Sequence, residues 1–348
     1  MTGQTLPAET LARLIETIFQ SLGVDRADAA CTAQSLVNAD LEGIPSHGAA
    51  LVPMYVQRIK AGSISVDGQP SIVEDHGAMV IMTAANTLGQ LSAQTAVELA
   101  IERARLYGIS IVAVRDACHF GTAAYWSKKF AQAGLVGFSF SNTRPLMPAP
   151  GGAQALVGNN PMAIAFPSAT GEALVVDMAM SATAMGKIRI AQAQGKSIPE
   201  GWATDAEGRA TTNASEAING MLLPAAGPKG FGLAVAVDLL CGALSGGGVG
   251  AAVRPLYGDP SEPYNCSHAF IAIDASRIAG GDGIGPQVAE FAQSIRDSRR
   301  ASGTETIYAP GDLERANRQR IAGHCVLHPS LVDELNALAQ AANSDLRL

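Results

Sequence analysis

Two histidines stand where catalytic side chains are often found, each at the end of a predicted regular element. His47 lies in the stretch GIPSHGAALVPMY at 43–55, and His119 lies in CHFG at 118–121. An imidazole has a pKa near neutrality, so it can give and take a proton at physiological pH. Each histidine is therefore a candidate general acid and base, although a lone histidine is also a common packing or surface residue.

Other stretches carry polar residues that packing alone explains poorly. GNNP at 158–161 places two amides before a proline, and VVD at 175–177 ends an apolar strand on an aspartate that needs polar partners if it is buried. GWATD at 201–205 places Asp205 in a turn. GPKG at 227–230 places Lys229 at a helix start, where free backbone N–H groups favour an anion. Together with the histidines, these residues indicate a small-molecule site.

Three stretches resemble other kinds of site without meeting their requirements. GGGVGAA at 246–252 and GDGIGPQV at 281–288 lack the GxGxxG spacing that opens a helix directly after a strand, and the second is predicted to be a surface turn and helix start. His324 and His328 have the i, i+4 spacing of a zinc pair, but Pro329 and the lack of a nearby carboxylate favour ordinary packing. We predict no metal site.

The composition excludes several classes of function. The 348 residues suggest about two domains, and 37 glycines with only 5% aromatic residues are typical of an α/β protein rich in turns. Five scattered cysteines without a CxxC pair predict neither disulfides nor a cysteine zinc site. A formal charge of −7 without long runs of one sign argues against nucleic acid as a partner. No apolar run reaches the ~20 residues that span a bilayer, and the N-terminus lacks a signal-peptide pattern, so we expect a cytoplasmic protein with no membrane partner.

Hydrophobic periodicity predicts helices and strands that place these stretches in loops. The chain begins with two helices, up to Gly23 and from about Asp25 to Leu41, followed by a short helix that carries Tyr55. The other predicted helices lie at 88–107, 122–133, 183–194, 230–244, 286–301 and 329–342. The predicted strands lie at 78–83, 109–114, 135–141, 162–166, 173–178 and 268–274, with a long loop at 142–161.

In chain order the motifs resemble the malate/L-lactate dehydrogenase family, which is unrelated to the Rossmann-fold lactate and malate dehydrogenases. The likeness covers nearly the whole chain, with SHG at 46–48, PMYVQRIKAG at 53–62, HFGTAAYW at 119–126, GNNPMAIAFP at 158–167, VVDMAMS at 175–181, IPEGWATDAEG at 198–208, GPKGFGLAVAVDLLCGALSG at 227–246 and HAFIAIDASRI at 268–278. The resemblance implies an α/β, non-Rossmann fold in which NADH or NADPH lies on a mostly antiparallel mixed sheet. It further implies a cofactor-binding domain at 76–274, a helical, dimerisation and substrate domain formed by 1–75 with 275–348, and a homodimer.

The same resemblance implies a role for each candidate residue. His47 is expected to be the proton donor and acceptor, with Ser46 and Asp205 orienting it. Cofactor contacts are expected at His119, Phe120, Gly121, Thr122, Ala123, Asp177, Met178, Ala179, Lys229, Pro310, Gly311 and Arg315. Substrate contacts are expected at Asn159 and Asn160. This set is consistent with hydride transfer to a C=O or C=N group, which requires a proton donor of near-neutral pKa.

Two departures from the family pattern concern the substrate and the cofactor. Leu51 stands where the family usually carries an arginine that binds the substrate carboxylate, so either Arg144 or Arg58 replaces that arginine or the substrate differs. Met180 replaces a residue that often presents a hydroxyl near the cofactor. We predict an NAD(P)H-dependent enzyme that interconverts a 2-oxo acid and a 2-hydroxy acid. The alternatives are a reductase of Δ1-pyrroline-2-carboxylate or Δ1-piperideine-2-carboxylate, or a binding protein that has lost catalysis.

Overall fold

The computed structural model describes residues 3–278 and 283–348. Its α-helices are α1 (Ala8–Ser21), α2 (Arg26–Leu41), α3 (Val52–Lys60), α4 (Gly89–Tyr107), α5 (Ala123–Gln132), α6 (Met185–Ala193), α7 (Ala214–Asn219), α8 (Pro228–Asp238), α9 (Gly285–Arg296), α10 (Asp312–Ile321) and α11 (Pro329–Ala341). Its strands are β1 (Gln4–Pro7), β2 (Ser71–Asp75), β3 (Met79–Thr83), β4 (Ile109–Ala117), β5 (Val136–Ser141), β6 (Met147–Pro148), β7 (Ala155–Val157), β8 (Met162–Phe166), β9 (Leu174–Met178), β10 (Ala203–Thr204), β11 (Ala210–Thr211), β12 (Met221–Leu222), β13 (Cys266–Ile273) and β14 (His324–Leu327).

A seven-stranded sheet organises the molecule, in the order β2-β3-β4-β13-β5-β8-β9. Only β3 and β4 run parallel, and every other neighbouring pair is antiparallel. This arrangement confirms the predicted mostly antiparallel mixed sheet. It also explains why no GxGxxG motif is present, because the chain does not build the parallel strand–helix–strand unit that the motif serves.

The register of the sheet brings several predicted site segments to one edge. Cys266 at the start of β13 pairs with Ala117 at the end of β4, and His268 pairs with Ser141 at the end of β5. Met162 at the start of β8 pairs with Met178 at the end of β9. The loops that follow β4 and β5, the loop that precedes β8 and the end of β9 therefore share one edge of the sheet.

The main hydrophobic core joins helices from both ends of the chain to this sheet. Strands β1 and β14 pair antiparallel, so the N-terminus is fastened to the C-terminal segment. The buried residues of the core run without interruption from α1 and α2 through β3 and β4 to α5 and α11, and thus cross the domain boundary predicted at residue 75. Strand β2, which ends at that boundary, is itself part of the sheet. A second apolar cluster underlies β6, β7, β10, β12, α6 and α7, which form a small lobe beside the sheet.

Local signals in the sequence account for the ends of the helices near the site. The Asp25 side chain caps α2 by accepting the Ala27 amide at 2.8 Å. Gly43 and Gly108 adopt the left-handed conformation just beyond α2 and α4, with φ of 79° and 90°. The chain can therefore turn sharply after α2, and this turn leads directly into the loop that carries Ser46 and His47.

Most predicted elements are present, with shifts of a few residues at their ends. The predicted helix at 230–244 is divided, because α8 ends at Asp238 and residues Leu239–Ala243 form a π-helix. His324 and His328 are not on one helix face, since His324 begins β14 and His328 caps α11. A helix does start at Gly285 in the GDGIGPQV stretch, although its residues 281–282 lie outside the described part of the chain. No described helix is both long and apolar enough to cross a membrane.

Candidate active site

His47 lies at the end of a short 3-10 helix that Pro45 opens after the turn at Gly43. Its Nδ1 atom is 3.0 Å from the Ser46 hydroxyl oxygen. The imidazole is half-buried, and desolvation lowers its pKa below the ordinary value of 6.5. The ring is therefore neutral at neutral pH. Ser46 holds one ring nitrogen and leaves Nε2 without a hydrogen-bond partner among the described residues.

His119 follows β4 and belongs to a chain of buried hydrogen bonds. Its Nδ1 lies 2.8 Å from the Tyr55 hydroxyl and 3.3 Å from the Gly121 amide, and the Gln90 amide nitrogen donates to Tyr55 at 3.1 Å. Because the Gly121 N–H can only donate, Nδ1 acts as an acceptor and the ring proton resides on Nε2. Desolvation, followed by the nearby His47 and His268, holds the pKa of His119 well below 6.5. His119 is thus a neutral ring that offers an N–H from its far side.

The two histidines are neighbours, with ring centroids 5.4 Å apart and planes inclined by 35°. They come from segments 72 residues apart in the sequence, one after α2 and one after β4. The pair therefore presents two neutral imidazoles side by side, one with a free Nε2 and the other with an Nε2–H group. Such a pair can hold a hydroxyl or carbonyl oxygen and exchange a proton with it.

A buried aromatic stack supports the end of β4. Phe120 stacks on the ring of His268 with centroids 4.3 Å apart, and both residues are essentially inaccessible to solvent. His268 Nε2 is 3.0 Å from the Cys118 carbonyl oxygen, and burial lowers the pKa of His268 to about 4. Phe120 and His268 are thus core residues that fix the backbone of the HFG segment.

An inner cleft of about 340 Å³ lies between the start of α5, the end of β9 and the loop before α10. Its lining brings together Ala124, Lys128, Val175, Val176, Asp177, Tyr308, Ala309, Pro310, Gly311, Leu313 and Glu314. Three of the predicted cofactor contacts, Asp177, Pro310 and Gly311, therefore meet in one place. Desolvation raises the pKa of the Asp177 carboxyl against an opposing effect of Lys128. Because that side chain is exposed to solvent, hydration screens the shift.

An outer cavity of about 390 Å³ adjoins the inner cleft, and Tyr308 lines both. Arg315 lies in its wall, where its Nη1 is 2.7 Å from Glu172 and 3.0 Å from Asp312. Arg296 binds the same Asp312 through two nitrogens, at 2.8 and 2.9 Å. Arg300 is exposed and forms no ion pair among the described residues. The cavity is therefore lined by three guanidinium groups and two carboxylates.

Beside the inner cleft, the start of α5 carries polar groups of the kind that bind phosphate. Thr122, directly before α5, has a buried Oγ1 with no hydrogen-bond partner among the described residues. The first backbone amides of α5 have no partners within the helix, and a helix N-terminus attracts anions. The Ala124 amide already acts on one anion, because it opposes the desolvation that raises the pKa of Asp177. The predicted contacts from His119 to Ala123 lead from the histidine pair to this helix start. A cofactor lying along them would connect the two places.

The GNNP loop at 158–161 is hydrogen-bonded to the segment that follows β9, and its two asparagines, Asn159 and Asn160, differ in role. Asn160 is fully buried, accepts the Thr143 amide at 2.9 Å and donates to the Ala234 carbonyl at 2.8 Å. Asn159 is half-buried, accepts the Thr143 hydroxyl at 2.9 Å and leaves its amide nitrogen without a partner among the described residues. Its carbonyl accepts the Met180 amide at 2.7 Å. Asn160 therefore shapes the loop, whereas Asn159 retains a donor for a ligand.

The predicted residues for the carboxylate end of the substrate are placed very differently. Leu51 is only 2% exposed and packs in the main hydrophobic core. Arg58 is also buried, and its guanidinium donates to the Ser63 hydroxyl and to the carbonyls of Pro255, Leu256 and Glu262. Arg144 is half-buried and forms no hydrogen bond or ion pair among the described residues. Of the two arginines considered, only Arg144 is available to a ligand.

Two further predicted residues do not contact the histidine pair within the chain. Asp205 binds its own turn, accepting the Glu207 and Arg209 amides at 3.0 and 2.9 Å and the Arg209 guanidinium at 2.8 Å. These bonds hold the pKa of Asp205 below its usual value, and none of its hydrogen bonds reaches His47. Lys229 is exposed at the second position of α8. Met178 is 43% exposed at the end of β9, beside Ala179.

Sequence reasoning missed the residues that support His119. Tyr55 and Gln90 are both buried and lie on α3 and α4 at positions that a periodicity argument assigns to the core. Lys128, which binds Glu42 at 2.5 Å in the wall of the inner cleft, gave no signal either. Tyr55 lies in the PMYVQRIKAG motif, so its place beside SHG was a usable signal. In the part of the chain that the structure describes, no group of three or more His, Cys, Asp or Glu residues is arranged to hold a metal ion.

Comparisons with known proteins show which proteins the chain resembles. The family model described as malate/L-lactate dehydrogenase matches residues 6–336. The L-sulfolactate dehydrogenase of Methanocaldococcus jannaschii is 35% identical over 333 residues, which cover 96% of both chains. The (2R)-3-sulfolactate dehydrogenase (NADP(+)) of Chromohalobacter salexigens is 34% identical over 95% of this chain and 96% of its own. The ureidoglycolate dehydrogenase (NAD(+)) of Escherichia coli is 33% identical over 90% of this chain and 89% of its own.

Two solved structures resemble the whole molecule. The sulfolactate dehydrogenase of M. jannaschii superposes with a TM-score of 0.94 at 34% identity and covers 99% of this chain and 98% of its own. The Δ1-piperideine-2-carboxylate reductase of Pseudomonas syringae superposes with a TM-score of 0.87 at 29% identity, over 97% of this chain and 100% of its own. The likeness therefore includes the sheet edge and the loops that carry the histidines.

Proposed function

The chain belongs to the malate/L-lactate dehydrogenase family of NAD(P)-dependent dehydrogenases, and on this premise we propose that it interconverts a 2-oxo acid and a 2-hydroxy acid with His47 as the proton donor and acceptor. The observation that carries the proposal is the pair of neutral imidazoles, 5.4 Å apart, at the end of β4. The adjoining segment from His119 to Ala123 leads to the inner cleft. A proton-transfer group and a dinucleotide site are thus joined by five consecutive residues.

The free Nε2 of His47 is the proposed site of proton transfer. In the oxidative direction the neutral ring accepts the proton of the substrate hydroxyl, and in the reductive direction the protonated ring returns it to the carbonyl oxygen. The nicotinamide ring, when bound, takes or supplies the hydride. Ser46 holds Nδ1 and so fixes the orientation of the ring. The Nε2–H of His119 stabilises the charge that develops on the substrate oxygen.

We further propose that the cofactor lies along the sheet edge with its phosphates at the start of α5. From β4 to β9 the edge crosses four strand spacings, which is roughly 19 Å at about 4.8 Å each, a distance that an extended dinucleotide can follow. Thr122 and the first amides of α5 would bind phosphate oxygens, while Asp177, Pro310 and Gly311 would line the cleft. The arginines of the outer cavity, including Arg315, would face the far end of the cofactor. Both NADH and NADPH are compatible with this placement.

The substrate carboxylate is assigned to Arg144. A guanidinium binds a carboxylate through two parallel hydrogen bonds, and the Arg144 guanidinium has no competing partner among the described residues. Asn159 would supply a further amide donor from the same edge. Leu51 would leave the position of the usual family arginine apolar. Lys229, at the start of α8, is retained as a contact of the cofactor or the pocket.

The assignment of Asp205 as an orienting group for His47 rests on the resemblance alone. Its carboxylate is bound by Arg209 and by its own turn, so this role requires the turn to approach His47 in the assembled, loaded enzyme. The test is to compare Asp205→Asn with Arg209→Ala. If Asp205 orients His47, Asp205→Asn should lower kcat much more than Arg209→Ala does. If Asp205 only stabilises its own turn, the two variants should lower kcat equally.

We also propose that the enzyme is a homodimer built on the exposed face of α8 and the π-helix. Leu233, Ala236, Leu239, Ala243 and Leu244 recur at helical spacing, and the two leucines at 233 and 239 are each 48% exposed. An apolar stripe of this kind is favourable at an interface and unfavourable in water. Sedimentation of the wild type and of Leu239→Lys tests this, since the substitution is expected to yield monomers.

A second candidate activity is reduction of a cyclic imine acid. The likeness to the P. syringae Δ1-piperideine-2-carboxylate reductase favours it, because a protein with the same fold is named for a cyclic imine substrate. The deciding experiment is a panel of 2-oxo acids, 2-hydroxy acids, Δ1-pyrroline-2-carboxylate and Δ1-piperideine-2-carboxylate with NADH and NADPH, followed by nicotinamide absorbance. Turnover of the oxo acids but not the imines supports the dehydrogenase. The reverse result supports the imine reductase, and binding of cofactor without any turnover supports a non-catalytic protein.

A further inference from the structure

Asp40 is a buried carboxylate in the last turn of α2, seven residues before His47. It is 8% exposed and forms no ion pair with any described residue. Burying a carboxylate without a cation costs free energy unless a hydrogen-bond donor binds it. Here the donor lies in the loop that carries His47.

The contacts of Asp40 fall on the two residues that follow His47. Its Oδ2 accepts the Ala49 amide at 2.8 Å. Gly48 passes so close to the carboxylate that a Cβ atom at this position would overlap it. The glycine of the SHG motif is thus explained by the carboxylate beneath it, because only glycine lets the backbone lie against Asp40.

Other hydrogen bonds connect the start of this loop to α2, and α2 to α10. Ile44 donates its amide to the Ala39 carbonyl at 2.8 Å, and Asn317 of α10 donates to the Glu42 carbonyl at 3.3 Å. The loop from Gly43 to Ala49 is therefore fixed to α2 at both ends, by backbone hydrogen bonds at its start and by Asp40 at its end. Ser46 and His47 lie between these two points.

We propose that Asp40 is the positioning residue of the Ser46–His47 loop, and that its ionised carboxylate holds Ala49 and Gly48 so that His47 stays opposite His119. This inference rests on the proposed role of His47. An ionised carboxylate is a stronger acceptor for the Ala49 N–H than a neutral acid is. The hold on the loop therefore tightens when Asp40 loses its proton.

The surroundings of Asp40 allow this proton to move near neutral pH. Desolvation raises the pKa of Asp40 to about 7, and the Ala49 hydrogen bond offsets only part of the shift. The ionisable group that faces it from β14 is Cys325, whose own pKa is raised by burial and by Asp40. Arg318 of α10 is directed to the Asn38 side chain, and Glu42 binds Lys128. Among the described residues, no cation forms an ion pair that would hold Asp40 in its ionised form.

The test compares Asp40→Ala and Asp40→Asn with the wild type, using Asp28→Asn in the first turn of the same helix as a control. We expect Asp40→Ala to lower kcat at least tenfold with little change in the KM for the cofactor. We expect Asp40→Asn, which keeps a neutral acceptor for Ala49, to show at every pH the lower activity that the wild type shows when Asp40 is protonated. In the oxidative direction the wild type should show an ionisation near pH 7 that Asp40→Asn lacks and Asp28→Asn keeps.

Measuring His47→Ala in the same series separates the two proposals. Two results would show that the positioning role of Asp40 is wrong while the proposed function stands. The first is an inactive His47→Ala together with an Asp40→Ala that has wild-type kcat. The second is an Asp40→Asn that keeps the ionisation near pH 7. If His47→Ala is fully active, the proposed function is wrong. If Asp40→Ala does not fold, the pH profile of Asp40→Asn decides alone, because that variant preserves the size and shape of the side chain.

Discussion

The ring of His119 lies 5.4 Å from the ring of His47, and hydrogen bonds from Tyr55 and Gly121 direct its proton away from Nδ1. The two imidazoles therefore differ although both are neutral. His47 leaves Nε2 without a partner among the described residues, whereas His119 carries its proton on Nε2. Under the proposed function, this asymmetry would let one ring move the proton while the other stabilises the oxygen from which it is taken.

The substitution Tyr55→Phe tests the support of His119. It removes the 2.8 Å contact to Nδ1 while keeping the buried ring, so we expect kcat to fall about tenfold with a loss of about 1 kcal/mol of unfolding free energy. Tyr257→Phe is the matched control, because that tyrosine is 70% exposed. Steady-state kinetics and thermal unfolding of both variants provide the measurement. Equal activity of Tyr55→Phe and the wild type would show that the tautomer of His119 is irrelevant to turnover.

The direction of the pH dependence follows from the lowered pKa of His47. In oxidation the neutral ring is required, so kcat/KM of Asp40→Asn, which lacks the ionisation expected of Asp40 near pH 7, should rise with pH and level off above a pKa that lies below 6.5. In reduction the protonated ring is required, so kcat/KM should fall as pH rises through the same value. Profiles in both directions provide the measurement. In Asp40→Asn, a breakpoint above 6.5 would contradict the lowered pKa of His47 and would indicate that a carboxylate, such as Asp205, acts on the ring in the assembled enzyme.

Thr122→Val tests the placement of the cofactor. The Thr122 Oγ1 has no partner among the described residues, so the substitution should not destabilise the protein. If this hydroxyl binds phosphate, its removal should weaken cofactor binding about tenfold. Thr32→Val, which removes another unpartnered buried hydroxyl from α2, is the matched control. Cofactor titration by nicotinamide fluorescence gives the two dissociation constants. Identical values for both variants would remove Thr122 from the site.

Arg144→Ala should raise the KM for acid substrates about ten- to a hundredfold, as expected when a charged hydrogen-bond pair is lost, and should leave cofactor affinity unchanged. Arg103→Ala, which breaks a surface ion pair with Asp75, is the control. Substrate saturation curves with Arg144→Ala and Arg144→Lys provide the measurement. An unchanged KM in Arg144→Ala would mean that the carboxylate is bound elsewhere.

The sequence was a good guide to the fold and an uneven guide to the site. Apolar periodicity and glycine stops located the helices around the histidines, because helix ends are determined by local chemistry, as at Asp25 and Gly43. Short strands such as β10 and β12 were missed, since two-residue pairings form only through tertiary contacts. Arg58 and Arg144 could be distinguished as candidates for the substrate carboxylate only by burial, which encloses Arg58 and leaves Arg144 partly exposed.

Leu51 shows how the structure changes the meaning of a sequence difference. From sequence alone, Leu51→Arg is a test for restoring a carboxylate contact. The side chain is 2% exposed in the main core, so a buried unpaired guanidinium would be expected to destabilise the protein by several kcal/mol unless it bends out to the site. Leu51→Met, which conserves volume, should be tolerated. The thermal midpoints of both variants check this before any activity is interpreted.

The most direct test of the account is the turnover of His47→Ala with a substrate identified by the panel. We expect kcat to fall by about 10² to 10⁴, the usual contribution of a general acid and base, while the dissociation constant of the cofactor stays within twofold of wild type. Activity comparable to wild type in a folded, cofactor-binding His47→Ala would contradict the central claim that His47 transfers the proton.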